Sequence, residues 1–99
     1  MSFEPWALVG LHASVRFTVV AEASPGLLPR LLEPFARRDL TPDSFESVRQ
    51  GADLRVEIFM HAMPAEVVHL VEGNLRQVVG VRSLVRRQEI TGSVRRRAA

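Results

Sequence analysis

The fold is decided by residues 19–38, which read Val19-Val20-Ala21-Glu22-Ala23-Ser24-Pro25-Gly26-Leu27-Leu28-Pro29-Arg30-Leu31-Leu32-Glu33-Pro34-Phe35-Ala36-Arg37-Arg38. A β-branched run ends in a Ser-Pro-Gly turn, and an apolar stripe with helical spacing follows at once. The pattern predicts a strand that enters a helix through a tight loop. The glycine of that loop allows the backbone to approach another group closely.

The segments on either side of the turn have opposite periodicities. Residues 15–22 alternate, which predicts a half-buried strand with Val15, Phe17, Val19 and Ala21 on one face and Arg16, Thr18, Val20 and Glu22 on the other. Beyond the turn, Ser24 is the predicted N-cap and Pro25 the first helical residue. The predicted apolar stripe of this helix is Leu28, Leu31, Leu32 and Phe35. Pro29 and Pro34 interrupt it, so we expect a kinked helix or one that starts late.

Working outward, the remaining segments complete a βαββαβ order. Residues 39–43 predict a turn, residues 44–50 a strand, residues 51–53 a hairpin turn and residues 54–61 an alternating strand. Pro64 is expected to open a second helix, with the stripe Val67, Leu70, Val71, Leu75 and Val78. Gly80 should end it before a last strand at 81–90. Two βαβ crossovers joined by a hairpin predict a ferredoxin-like α+β domain at 15–90, a four-stranded antiparallel sheet with two helices on one face. Residues 1–14 form a predicted N-terminal arm, and residues 91–99 a basic tail that we expect to be disordered.

Composition limits the classes of function. Ninety-nine residues with 46% hydrophobic content suit one globular domain, and the absence of cysteine excludes disulfides and thiolate chemistry. All 13 basic residues are arginine, and residues 82–97 carry a net charge of +5 against −3 for the remainder. Neither a signal segment nor an apolar run of about 18 residues is present, which predicts a cytoplasmic protein.

Chemistry-bearing residues are scattered. His12, His61 and His69 show no metal-ligand spacing, and no nucleophile–base arrangement or phosphate loop is apparent. We therefore predict no catalytic residue, no cofactor and no metal site.

The turn and first helix resemble those of ACT domains, the small amino-acid-sensing modules of metabolic enzymes. They are most similar to the short, single-domain small subunit of acetolactate synthase. There a Gly-aliphatic-Leu-x-Arg turn is followed by Phe-x-Arg-Arg-Gly-aromatic-Asn-Ile. This chain has Gly26-Leu27-Leu28-Pro29-Arg30 and then Phe35-Ala36-Arg37-Arg38-Asp39-Leu40-Thr41-Pro42 at the same spacing. Members that sense branched-chain amino acids have Asn or Asp three positions before the glycine, where this chain has Ala23, and Thr41 stands in place of the family's Asn.

The resemblance implies a regulatory subunit and not an enzyme. Such a subunit would bind and activate a thiamine-diphosphate-dependent catalytic subunit, which condenses two 2-keto acids in branched-chain amino-acid biosynthesis. It would form a homodimer through the edge strand at 44–50. The implied effector-binding residues are Ala23, Ser24, Gly26, Leu27, Leu28, Thr41 and Pro42. Because Ala23 and Thr41 replace polar anchors, we expect branched-chain amino acids to bind weakly or not at all.

A basic patch on the first helix, Arg30, Arg37 and Arg38, is a candidate surface for binding the partner enzyme. Two other functions share the βαββαβ order. An RNA-binding module would use the arginine-rich last strand and tail, but the third strand offers only Phe59 as an exposed aromatic. A small ferredoxin-like enzyme would need a paired acid and base that the sequence does not show.

Overall fold

The computed structural model describes residues 9–93. Its strands are β1 (Leu11–Glu22), β2 (Ser44–Gln50), β3 (Asp53–Pro64) and β4 (Val81–Ser93). Its helices are α1 (Leu27–Ala36) and α2 (Val68–Arg76), and a 3-10 turn at Ala65–Val67 precedes α2. The sheet order is β2-β3-β1-β4 with every neighbouring pair antiparallel. This confirms the predicted ferredoxin-like fold.

The core lies between one face of the sheet and the two helices. The inward residues of β1 and β3 follow the predicted alternation as far as Met60. They are joined by Ala13 near the start of β1 and by Met63, which lies beyond a register shift in β3. Helix α1 contributes Leu27, Leu31 and Phe35, and the Phe35 ring meets Phe17 edge-on with centroids 5.9 Å apart. From α2, Val68, Val71 and Leu75 complete the core. Within residues 9–93, no helix covers the other face of the sheet.

Helix α1 starts late, which was one of the two outcomes expected from its prolines. Gly26 is the N-cap and Leu27 the first helical residue, so the prediction of Ser24 as cap and Pro25 as first residue is wrong. The buried stripe shifts with the start, because Leu27 enters the core and Leu32 stays 38% exposed. Pro29 then falls in the first turn, where backbone N–H groups lack helical partners in any case. Pro34 lies inside the helix and is buried.

Helix α2 also begins later than the sequence pattern indicates. Pro64 closes β3, and the 3-10 turn separates it from the helix. Val68 therefore takes a core position, and Leu70, which the predicted stripe included, is 44% exposed.

Strands β1 and β4 are longer than predicted. β1 begins at Leu11, four residues before Val15, and β4 continues past Ile90. The extension has a backbone cause, since Leu11 pairs with Ser93 of β4 and His12 pairs with Pro64 of β3. Residues 1–8 of the predicted arm and residues 94–99 of the predicted tail lie outside the described residues.

Several turns contain a residue with positive φ, among them those at Gly51 and Asp39. Gly51, with φ +64°, opens the two-residue turn between β2 and β3, the first central position where type II′ hairpins place glycine. Asp39, with φ +57°, follows α1 at the position where the synthase-subunit motif has glycine. None of the helices within residues 9–93 has the length and apolar character needed to cross a membrane.

Candidate functional site

The loop between β1 and α1, residues 23–26, is held at one end of the sheet by backbone hydrogen bonds. The Ala23 N–H donates to the Ala52 carbonyl in the β2–β3 turn at 2.9 Å. Just before it, the Glu22 N–H donates to the Gly80 carbonyl, also at 2.9 Å. The loop is thereby fixed against the turns that precede β3 and β4.

Gly26 has an ordinary backbone angle, and its close neighbour is the flexible end of the Arg30 side chain. Its φ of −91° and ψ of 0° are open to any residue. A Cβ placed on it would lie 3.1 Å from the guanidinium carbon of Arg30. The close approach that the sequence predicts is thus made by the chain's own Arg30, which covers the loop.

The predicted effector residues of this loop have different surroundings. The Leu27 N–H donates to the Ser24 carbonyl at 3.1 Å, so the backbone amide of this implied effector-binding residue already has a partner. The Leu27 side chain is fully buried and supports the loop from beneath. Leu28 is partly buried against the core, whereas Ser24 is exposed.

Thr41 and Pro42 lie at the opposite end of the sheet. They precede β2, whose first residue Ser44 pairs with Phe59 of β3, and Phe59 pairs with Arg16 of β1. Arg16 lies six residues before the end of β1 at Glu22, a distance of about 20 Å along a strand. One chain therefore does not bring the two halves of the predicted effector site together.

The three arginines of the predicted partner surface are separated. Arg38 turns back, and its guanidinium donates to the Pro34 carbonyl at 3.2 Å. Arg30 and Arg37 remain exposed and line a groove of about 280 Å³ between the helices. Only these two form a shared surface.

A second concavity, which the sequence did not predict, lies on the open face of the sheet. It has a volume of about 540 Å³ and is lined by Arg16, Thr18, Val20, Arg55, Glu57, Ser83, Val85 and Arg87. Finding it requires the register of β4 against β1, which places Arg87 opposite Arg16. The sequence alternation of β1 and β3 predicts that the lining residues of these two strands face away from the core. It does not predict which residues of β4 lie beside them.

Ion pairs connect β4 to β3 and to α2. Arg82 of β4 donates from Nε to Asp53 of β3 at 2.9 Å, and the hydrogen bond and charge of Asp53 raise the pKa of Arg82. Glu72 of α2 accepts from both Arg76 and Arg86, each at 2.9 Å, which joins α2 to β4. Between residues 9 and 93, no group of three or more histidine, aspartate or glutamate side chains is placed to hold a metal ion.

The comparisons with known proteins agree with this architecture. The family model described as ACT-like domain matches residues 10–92. A homoserine dehydrogenase from Thiobacillus denitrificans matches in structure with a TM-score of 0.67 and 13% identity, over 82% of this chain and 18% of the dehydrogenase. The ACT domain from GTP pyrophosphokinase of Chlorobium tepidum matches with a TM-score of 0.64 and 13% identity, over 77% of this chain and 86% of that domain. No curated protein matches the chain.

Because both matched structures are only 13% identical to this chain, the structural similarity establishes only the fold. The family assignment rests on the match over residues 10–92, which is most of the sequence. The chain therefore belongs to the ACT-like domain family, whose members are regulatory, amino-acid-binding modules.

Proposed function

We propose that this chain is a regulatory subunit that binds and activates the thiamine-diphosphate-dependent catalytic subunit of an acetolactate synthase. The observation that carries the proposal is the loop and helix at residues 23–39. Its sequence resembles the motif of the short synthase subunits from Gly26 to Arg38. Two features of its backbone and side chains suggest why the motif has these residues. Arg30 covers Gly26. Asp39 has a positive φ at the position where the motif of the synthase subunits has glycine.

The solved relatives are consistent with a module that serves a metabolic enzyme. The homoserine dehydrogenase matches this chain over only 18% of its own length, and the other match is a domain from a GTP pyrophosphokinase. In both cases a domain of this shape belongs to an enzyme chain. The present chain would supply the same kind of module to a separate catalytic subunit.

We propose further that two copies pair through β2. This strand is an edge of the sheet and is exposed from Glu46 to Gln50. Gln50 and Asp53 flank the two-residue turn and form a hydrogen-bonded pair in such a hairpin. By alternation, the backbone N–H and C=O groups of Phe45, Ser47 and Arg49 face outward, where a second strand can pair with them.

Pairing of this kind would complete the effector site. If the two β2 strands pair antiparallel about a two-fold axis at Ser47, the two copies run in opposite directions along the shared sheet. The 23–26 loop of one copy then lies at the same level as Thr41 and Pro42 of the other. The half-sites that a single chain keeps about 20 Å apart would thus meet at the interface. An amino-acid effector would bind there, with its carboxylate at the N-terminus of α1.

Affinity capture from a lysate of the source cells tests the proposal. The tagged chain should retain a large subunit with acetolactate synthase activity, and added chain should raise that activity. Arg37→Glu, in the groove between the helices, should weaken capture. Arg87→Glu makes the same charge change on the opposite layer and should leave capture unchanged. Recovery of RNA, or of no large enzyme subunit, would contradict the proposal.

A further inference from the structure

We propose that the open face of the sheet binds a small, doubly charged oxyanion, a phosphate or a dicarboxylate, between Arg16 and Arg87. This site is distinct from the loop at residues 23–26 and does not depend on the proposed partner enzyme. It rests on the arrangement of charge across β1, β3 and β4.

The first observation is a pair of like charges in register. Arg16 of β1 is directly opposite Arg87 of β4, and both side chains are exposed on the face that carries no helix. Like charges at directly opposed positions of an antiparallel pair destabilise the sheet. An anion held between the two guanidinium groups would turn this repulsion into attraction.

The second observation is that the lining of the concavity has more arginines than carboxylates. On the same face, Glu46 of β2 lies directly opposite Glu57 but does not line the concavity. Glu57 is shared, with one oxygen 3.4 Å from Arg16 and the other 3.5 Å from Arg55. Within the described residues, the Arg87 guanidinium has no ion-pair or hydrogen-bond partner. Glu89 lies two residues along β4 and lines an adjoining groove of about 220 Å³ with Arg16 and Arg87, yet forms no ion pair with either. The concavity therefore contains three arginines and one carboxylate.

The third observation concerns the position of Arg16 and the size of the concavity. The Arg16 guanidinium lies 5.0 Å from the centre of the Phe59 ring, a cation–π contact that fixes its position. Thr18 and Val85 form a floor between the strands, next to the two arginines. The volume of about 540 Å³ lies in the range of small-molecule sites. Arginine is suited to this ligand because its planar fork can bind two oxygens of a carboxylate or phosphate at once.

Titration of the isolated chain with inorganic phosphate tests the site, with sodium chloride keeping the ionic strength constant. The Nε–Hε NMR signals of Arg16 and Arg87 should shift together and saturate. Arg87→Gln should weaken phosphate binding about fivefold or more, because half of the charged clamp is lost. Arg37→Gln, an exposed arginine on the helix layer, is the matched control and should bind as the wild type does. A parallel titration with malonate shows whether the ligand is a phosphate or a dicarboxylate.

A variant that is expected to tighten phosphate binding, and not to weaken it, strengthens the test. Glu89→Gln removes a negative charge from the rim of the site and should tighten phosphate binding, whereas Arg87→Gln loosens it. Equal binding by all variants, or shifts that sodium chloride alone reproduces, would overturn the proposal. Binding of a single-stranded RNA without binding of phosphate or malonate would also overturn it and would favour a nucleic-acid surface. None of these outcomes depends on capture of a synthase, so the two proposals can fail separately.

Discussion

The guanidinium carbon of Arg30 lies 3.1 Å from the point that a Cβ on Gly26 would occupy. The two residues are one turn of α1 apart, so the arginine folds back over the N-terminus of its own helix. A cation therefore covers the place where an effector carboxylate is expected. An incoming carboxylate would find a positive charge there as well as the helix N-terminus.

Gly26→Asp should therefore be tolerated by the fold. The new carboxylate would sit at the N-cap beside Arg30, and we expect the free energy of unfolding to rise by about 0.5–1 kcal/mol. Urea unfolding measures this change, with Gly26→Ala as a control that adds the Cβ without the charge. A loss of more than about 1 kcal/mol in Gly26→Asp would show that Arg30 cannot accommodate the new side chain.

Ala23→Asn should create or strengthen effector binding. Ala23 is half-buried in the loop and has no side-chain hydrogen-bonding group, so an effector ammonium finds no partner there. Isothermal titration calorimetry with valine, leucine and isoleucine should give weak or no binding to the wild type. The asparagine variant should bind at least one of them about tenfold more tightly, since one charge-assisted hydrogen bond is restored. Gly26→Asp added to this variant should abolish binding, because its carboxylate takes the place of the ligand's.

Sub-millimolar affinity of the wild type for any of the three amino acids would contradict this expectation. No change on Ala23→Asn would mean that the effector binds elsewhere, and the groove between the helices would be the next place to examine.

Ser47→Pro should dissociate the proposed dimer. Proline removes the outward N–H of the edge strand and leaves the hydrogen bonds between β2 and β3 in place. We expect the dimer dissociation constant, measured by sedimentation equilibrium, to rise about tenfold or more. Ser47→Thr retains the N–H and should remain dimeric. A wild-type chain that is monomeric at tens of micromolar would exclude pairing through this edge.

Asp39→Gly should keep or raise stability, and Asp39→Val should lower it. At φ +57° a β-branched residue is strained by about 1–2 kcal/mol, whereas glycine adopts this angle freely. Urea unfolding of both variants measures the difference between them. Equal stabilities would show that the turn after α1 relaxes to another conformation, which would remove one physical basis for the family motif.

The strand faces could be predicted from the sequence, and the helix boundaries could not. In β1, and in β3 as far as Met60, each inward residue is apolar and has a fixed parity, so one face follows from Val15 or Val56. The alternation does not predict the register shift that buries Met63. A helix start has no such constraint. The apolar residues of α1 are dense enough that a stripe through Leu28 and Leu32 looks as good as the true one through Leu27 and Leu31. The choice depends on how the loop reaches the sheet, which is a tertiary property.

The candidate sites divide in the same way. The Gly26 loop could be located because its residues are contiguous in the sequence. The distance from that loop to Thr41 depends on where β2 pairs with β3, and the pairing of Arg16 with Arg87 depends on the register of β4. The hairpin turn sets the register of β2 against β3, but β1 pairs with β3 and β4 across long stretches of sequence. No local pattern in the sequence contains the register of β1 against these two strands.

The separation of the Gly26 loop from Thr41 at opposite ends of one sheet has a thermodynamic consequence. If each complete site needs both copies, sensing and assembly form one linked equilibrium. The apparent affinity for the effector would then fall on dilution, and saturating effector would tighten the dimer by the same free energy. The fraction of sites that hold effector would thus depend on the concentration of the subunit as well as on that of the amino acid.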